Sequence, residues 1–419
     1  MGKRLIWTFM AALLVVTACN KDAGFEPGIS GADSASRTGA ERSYSVPSRR
    51  VMVMISAGYN SLSGYLTEDL RDLETGYLPE GTYFNSDVLL VLARLPRSAG
   101  DYASPSAPIL YRLWANRDGE VQRDTVLVWK GDTQLCTKET IREALTVTQK
   151  KFPAQSYGVV FSSHGSGWLP PGYYSDPSQF EPTASGSLWS LRSIGQDKTP
   201  TGGTEMSLKE FADAIPMHLD YCLIDACLSG CVEVAHALKE KADIVGFSPT
   251  EVLADGFNYK NITNHLFAKP LDPVAVCREY FEYYNAQTGS NRSATITAVD
   301  TRKMAALESV CKDLFESYRP ILNTMSGSSV QGYFRADRHY FYDLRDILVR
   351  AGITEQEKAR LDEALNQCIL YQAATDYFLS IPLKRVCGLS MYLPSMGSTY
   401  LNNYYKENIS WNQATELVL

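Results

Sequence analysis

The chain has 419 residues, 45% hydrophobic and 11% aromatic, enough for a sizeable core in one large domain or two ordinary ones. The 40 Lys+Arg against 47 Asp+Glu leave a formal net charge of -7, which offers no basic field to a phosphate backbone and argues against a nucleic-acid partner. Nine cysteines and five histidines, with no CxxC pair and no HExxH, fall short of both a disulfide scaffold and a zinc site.

Lys3 and Arg4 precede an apolar run from Leu5 to Val16, too short to span a bilayer but suited to the core of a secretory signal. The run closes on Val16-Thr17-Ala18-Cys19, which resembles the lipobox of bacterial lipoproteins. Residues 1–18 are therefore expected to be a cleaved leader, Cys19 the lipidated residue, and 19–49, rich in Gly, Ser, Ala and charge, a flexible tether. This predicts a bacterial cell-envelope protein held to the membrane through its N-terminal lipid.

Arg50 to Ser56 reads as a buried strand, Ala57 to Asn60 as a turn, and Leu62 to Leu73 as a helix with apolar residues at helical spacing. Strands follow at Asp87 to Leu95, Ile109 to Trp114 and Thr125 to Trp129, then a helix at Lys138 to Phe152 and a strand at Tyr157 to Ser163. Between Trp168 and Glu205 the order gives way to a long Pro-, Gly- and Ser-containing loop. Beyond it the spacing predicts helices over Ser207–Ile215, Val232–Lys241 and Pro273–Tyr284, alternating with strands over Tyr221–Ala226, Asp243–Phe247 and Ala294–Val299. Buried runs alternating with helices imply an α/β/α sandwich around a mainly parallel sheet of six or more strands. The boundaries place a catalytic domain at 50–300 and a C-terminal subdomain on the same sheet at 301–419, with helices near 302–318 and 354–370 and a late strand near Gly388–Leu393.

Two strands end in polar strings: Ser162-Ser163-His164-Gly165-Ser166-Gly167-Trp168 and Asp225-Ala226-Cys227-Leu228-Ser229-Gly230. Ligands bind at the carboxyl edge of open α/β sheets, so if these strands are neighbours His164 and Cys227 meet over one crevice. A thiol is mostly protonated at neutral pH, and an imidazole beside it makes a competent nucleophile. Backbone N–H groups beside Gly165 and Cys227 could receive a developing oxyanion. A helix starting near Ser229 would favour thiolate by its dipole. Each residue also has a plain reading: a cysteine ending an apolar strand is often a core residue, and a histidine often a structural one.

The His164-Gly165 pair, the later Asp225-Ala226-Cys227-Leu228-Ser229-Gly230, the string Tyr59-Asn60-Ser61-Leu62, Thr297-Ala298-Val299-Asp300 and Gly388 to Pro394 together resemble the clostripain family of cysteine peptidases. Caspases, legumain and gingipain share its fold. The resemblance implies a caspase-like sandwich, Cys227 as nucleophile, His164 as general acid/base, and the amides of Gly165 and Cys227 as the oxyanion site. It also implies cleavage after Arg or Lys, with Asp225 in the primary specificity pocket and Asp255 as a second acid there. Parity supports the first: Asp225 and Cys227 share a strand face. Trp would be expected where Phe257 stands. The long loop is where relatives often cleave themselves, and Arg192 and Lys198 are its basic residues. The resemblance raises calcium dependence, although the loop carboxylates spell no ligand set.

The expected function is a monomeric, extracytoplasmic cysteine endopeptidase acting on proteins or peptides after basic residues. Alternatives are the same fold with another P1 preference or transpeptidase activity, and a surface lipoprotein using a retired peptidase domain for binding.

Overall fold

In the computed structural model the described residues are 48–81, 86–97, 106–174, 180, 193–199, 202–336 and 339–419. Cys19, the leader, nearly all of the tether and Arg192 lie outside them. The strands of the first half are β1 (Arg50–Ala57), β2 (Val88–Arg94), β3 (Ile109–Ala115), β4 (Val121–Val128) and β5 (Ser156–Ser162), with helices α1 (Ser63–Thr75) and α2 (Lys138–Lys151) between them. A hairpin β6 (Ile194–Thr199) and β7 (Gly202–Met206) follows, then α3 (Leu208–Ala214), β8 (Leu219–Asp225), α4 (Val232–Ala237) and β9 (Ala242–Phe247). The remainder comprises α5 (Tyr259–Leu266), α6 (Pro273–Asn285), β10 (Thr295–Asp300), α7 (Met304–Leu322), β11 (Tyr342–Asp343), α8 (Leu344–Ala351), α9 (Glu355–Cys368) and β12 (Ile369–Ala374), ending in α10 (Thr399–Asn408) and α11 (Ser410–Thr415).

The central sheet has nine strands in the order β12-β10-β9-β8-β5-β1-β2-β3-β4. The five in the middle, β9-β8-β5-β1-β2, are parallel. Two antiparallel strands extend each edge, β3 and β4 on one side, β10 and β12 on the other. The predicted strand at Ala294–Val299 is thus present but runs against its neighbours. Successive side chains of β1 point to opposite faces: Val51, Val53 and Ile55 enter one core, Met52 and Met54 the other. Both faces are covered, which is why β1 and β2 read as unbroken apolar runs. Leu70 and Leu73 of α1, Ile262 of α5 and Tyr280 of α6 cap the second core, while α2, α3 and α7 to α9 cover the first.

Several elements begin on side-chain caps. Thr137 accepts from the Thr140 amide at the head of α2, and capping boxes Ser207/Glu210 and Thr354/Glu357 start α3 and α9. The expected loop between Trp168 and Glu205 is in part the β6–β7 hairpin, and the late strand shrinks to Ser390–Met391. From Ser48 onward the described chain belongs to one compact unit, to whose sheet β12 contributes an edge. Among the described residues no helix is long and apolar enough to cross a membrane.

Candidate active site

Strands β5 and β8 pair in parallel from Gly158↔Tyr221 to Ser162↔Asp225, so their carboxyl ends are level. His164 and Cys227 each stand two residues beyond that last pair, at the edge where the chain leaves the sheet. Together with Asp225, Asp69, Leu62, Leu66 and the 251–254 segment they line one cleft of about 220 Å³.

The turn after Cys227 is tightly determined. Leu228 takes a left-handed conformation, φ 57°, a strained setting for a branched residue. Its N–H donates to Thr250 O at 2.8 Å, and Gly230 N–H donates to Ser248 O at 2.7 Å. The loop leaving β9 therefore holds the cysteine loop in place. A Cβ on Gly165 would lie 2.8 Å from Cys227 O and 3.3 Å from Cys227 N, so only glycine lets the two strand ends approach this closely. The Gly165↔Ile194 bridge is made through the neighbouring residues, Gly195 N–H to His164 O and Ser166 N–H to Ser193 O. The N–H groups of Gly165 and Cys227 are thus left without an acceptor among the described residues.

The hairpin β6–β7 buttresses the histidine. Besides the Gly195 bond to His164 O, at 3.0 Å, Gln196 N–H donates to Ser163 Oγ at 3.2 Å and Asn60 Nδ2 donates to Gln196 O at 2.8 Å. Asp197, fully buried, pairs with Arg94 at 3.1 Å and accepts from the Leu135 and Cys136 amides. Lys198, whose N–H donates to Tyr59 O at 2.7 Å, lies within this strand opposite Gly203.

His164 Nε2 shares a 2.9 Å hydrogen bond with Ser61 Oγ, from the turn after β1. Cys227 Sγ accepts from Val252 N–H at 3.3 Å. Although the residue as a whole keeps some exposure, burial of its sulfur pushes the thiol up to about 12. The Glu251 carboxylate pushes the same way, while the Val252 amide and Arg335 oppose it. Glu251 is itself held by Arg335 in a two-pronged ion pair, 2.7 Å at each contact. The helix expected to start near Ser229 begins only at Val232 and has six residues, so its dipole is not aimed at the sulfur from that position.

Asp225 Oδ2 accepts from Phe257 N–H at 3.1 Å and Tyr259 Oη at 2.7 Å. Burial raises the carboxyl to about 6 against these two bonds. Gly256, φ +56°, passes so close that a Cβ there would lie 2.2 Å from Asp225 Oδ2. Asp255 follows Ala254, which lines the cleft of Cys227. It lines an adjoining one of about 420 Å³ with Glu68, Asp72, Tyr65 and Tyr283. Asp69 of α1 lines both clefts and was missed in the sequence; the available signal was an acid on the apolar stripe of a helix. His236 turns away, bonded to Ser410 and Glu308. The eight described cysteines are all free, and six are buried. Among the described residues no group of three or more His, Cys, Asp or Glu is arranged to hold a metal ion.

A large, mostly parallel sheet between two helical layers, with a cysteine and a histidine at adjacent strand ends, places the molecule in the caspase-like class of α/β proteins. The sequence profile of the clostripain family, C11, matches residues 54–417, and the chain belongs to that family. It is similar to an inactive zymogen C11 protease from Parabacteroides distasonis, with 27% identity, TM-score 0.72, and 88% of this chain and 99% of that one covered. It is equally similar to a secreted C11 cysteine protease from Bacteroides thetaiotaomicron solved with an irreversible peptide inhibitor, with 26% identity, TM-score 0.71, and coverage of 88% and 99%. A further structure of a secreted C11 cysteine protease from the same organism, iotapain, shares the fold at 22% identity and TM-score 0.71, covering 88% and 100%. No curated protein matches significantly. The protein is a cysteine peptidase, a hydrolase.

Proposed function

We propose that this peptidase cleaves peptide bonds after Arg or Lys through Cys227 and His164. The observation that carries the reading is the level ending of β5 and β8, which brings His164, Cys227 and the buried acid Asp225 to one cleft. His164 takes the Sγ proton, the sulfur attacks the scissile carbonyl, and the oxyanion is received by the unoccupied N–H groups of Gly165 and Cys227. His164 then gives its proton to the leaving amine, and water, deprotonated by the same imidazole, hydrolyses the thioester. Asp225 receives the basic side chain, a role in which a guanidinium can use parallel N–H donors.

The neutral thiol and the Ser61-bound histidine describe a resting form. Self-processing within 168–205 is the proposed activation, in keeping with a relative crystallised as an inactive zymogen. Cutting after Arg192 would leave β6 and β7 paired, whereas cutting after Lys198 would sever β6 behind His164. An export signal over 5–16 and lipidation at Cys19 would deliver the protein outside the cytoplasm, in keeping with a relative described as secreted.

The test is the domain from Arg49 onward, wild type and Cys227→Ala, under reducing conditions, on matched peptides ending in Arg, Lys, Asn, Asp or Leu. It is run with and without calcium and after limited proteolysis. Hydrolysis after Arg or Lys by wild type alone supports the reading. Cleavage after another residue overturns the basic preference, and equal activity of the Ala variant overturns the nucleophile. Fragment masses from the same samples show whether the chain is cut after Arg192 or Lys198.

A further inference from the structure

Helix α1 buries Leu66, Leu70 and Leu73 along one stripe, and Asp69 stands on that stripe with them, 7% exposed. A carboxyl in such a position is unfavourable unless something pairs with it. Among the described residues no side chain or amide hydrogen-bonds to the Asp69 carboxyl and no cation pairs with it. The charged groups around it are all acids: Asp225 from β8, Glu68 and Asp72 from α1 itself, and Asp255 from the loop after β9. The phenol of Tyr259, from α5, also faces the pair of acids. Neither cleft that Asp69 lines contains a Lys or Arg in its wall.

We propose that Asp69 is a specificity-determining residue of the peptidase, forming an ion pair with the basic side chain of the substrate from the side opposite Asp225. This rests on the reading of the cleft as the pocket for a basic P1 residue. The two acids divide the work by their surroundings. Asp225 Oδ2 is committed to the Phe257 amide and the Tyr259 hydroxyl, which hold that carboxylate still. Asp69 keeps both oxygens for an incoming donor. A guanidinium offers five N–H donors in a plane and can bridge two carboxylates from different elements, which a single ammonium does less well. In the empty protein, burial and the neighbouring acids push the Asp69 carboxyl up to about 9, so it waits protonated and surrenders the proton when the cation arrives. Among the described residues no cation is paired with this acid, which leaves that place to the basic side chain of the substrate.

The test compares peptides ending in Arg with the same peptides ending in citrulline, its uncharged isostere, on wild type, Asp69→Asn and Asp69→Glu. Wild type is expected to favour Arg by about 100-fold or more in kcat/KM. In Asp69→Asn that ratio falls at least about tenfold, through loss on the Arg peptide alone, and Asp69→Glu restores part of it. Because Asn reproduces a protonated carboxyl, the fold is expected to survive, as a thermal melt checks. Asp69→Ser is the second variant should Asn not fold. A folded Asn or Ser variant that keeps the wild-type ratio overturns the role of Asp69 alone. A wild type without preference for Arg over citrulline overturns the basic-P1 reading and this inference with it.

Discussion

Glu251 and Arg335 sit beside the sulfur and act on it with opposite signs, the carboxylate holding the thiol up and the guanidinium pulling it down. Glu251→Gln removes the upward push and keeps the opposing one from Arg335, which favours thiolate. The variant is therefore expected to react with iodoacetamide along a pH profile displaced to lower pH. Each unit of displacement speeds alkylation about tenfold at a fixed pH below the midpoint. Arg335→Gln displaces the profile the other way; profiles that coincide with wild type would mean the ion pair is structural only. The convergence of His164, Cys227 and Asp225 on one sheet edge was legible because each follows an apolar run where strands deliver ligands. Asp69 was passed over, because an acid on the apolar stripe of a helix gains meaning only once the sheet and the second acid are in place.

The ends of β5 and β8 reach one cleft only because they fit together. Gly165→Ala would set a methyl 2.8 Å from Cys227 O and 2.9 Å from Ala226 Cβ, both rigid, so β5 and β8 would have to part at their tips. Loss of about 100-fold or more in kcat with little change in KM is expected, since amide donors displaced from a developing oxyanion weaken the transition state rather than binding. A variant of wild-type kcat would remove the Gly165 amide from the site. Elements with strong local patterns, such as β1, α2 and β8, were predicted within a few residues of their observed ends. The shortened α4 and the β6–β7 hairpin were not. The hairpin is held by long-range contacts, Asn60 to Gln196, Gln196 to Ser163 and Asp197 to Arg94, rather than by an apolar pattern of its own.

Across the whole molecule, several buried carboxyls are raised rather than lowered: Asp69 to about 9, and Asp225 and Asp343 to about 6, each mainly by burial. A carboxyl whose pKa is higher folded than unfolded holds its proton more firmly in the folded state. Its contribution then favours folding at low pH and is lost as pH climbs from the unfolded value of 3.8 through the folded one, a window reaching pH 9 for Asp69. Carboxyls that are lowered, such as Asp300 and Asp362 beside arginines, act oppositely and only at more acidic pH. The substrate-free Cys227→Ala protein should melt at lower temperature at pH 8 than at pH 5.5. Adding Asp69→Asn should reduce the gap, raising Tm at pH 8 by about 1 °C for each kcal/mol relieved in a unit of this length. A gap unchanged by that substitution would show that Asp69 does not carry the pH dependence.

By itself the sequence determined the layers and the candidate dyad. Two-sided burial writes continuous apolar runs, helical faces write a 3.6-residue period, and an exit from the sheet writes a break into polar residues. These are local signals, readable without knowing any neighbour. Tertiary structure alone decided the strand order and the antiparallel edges, the Glu251–Arg335 pair beside the sulfur, and the meeting of Asp69 with Asp225. Those depend on which distant segments touch. Burial and the Coulomb fields that set a group's protonation come from neighbours in space, and chain order does not list them.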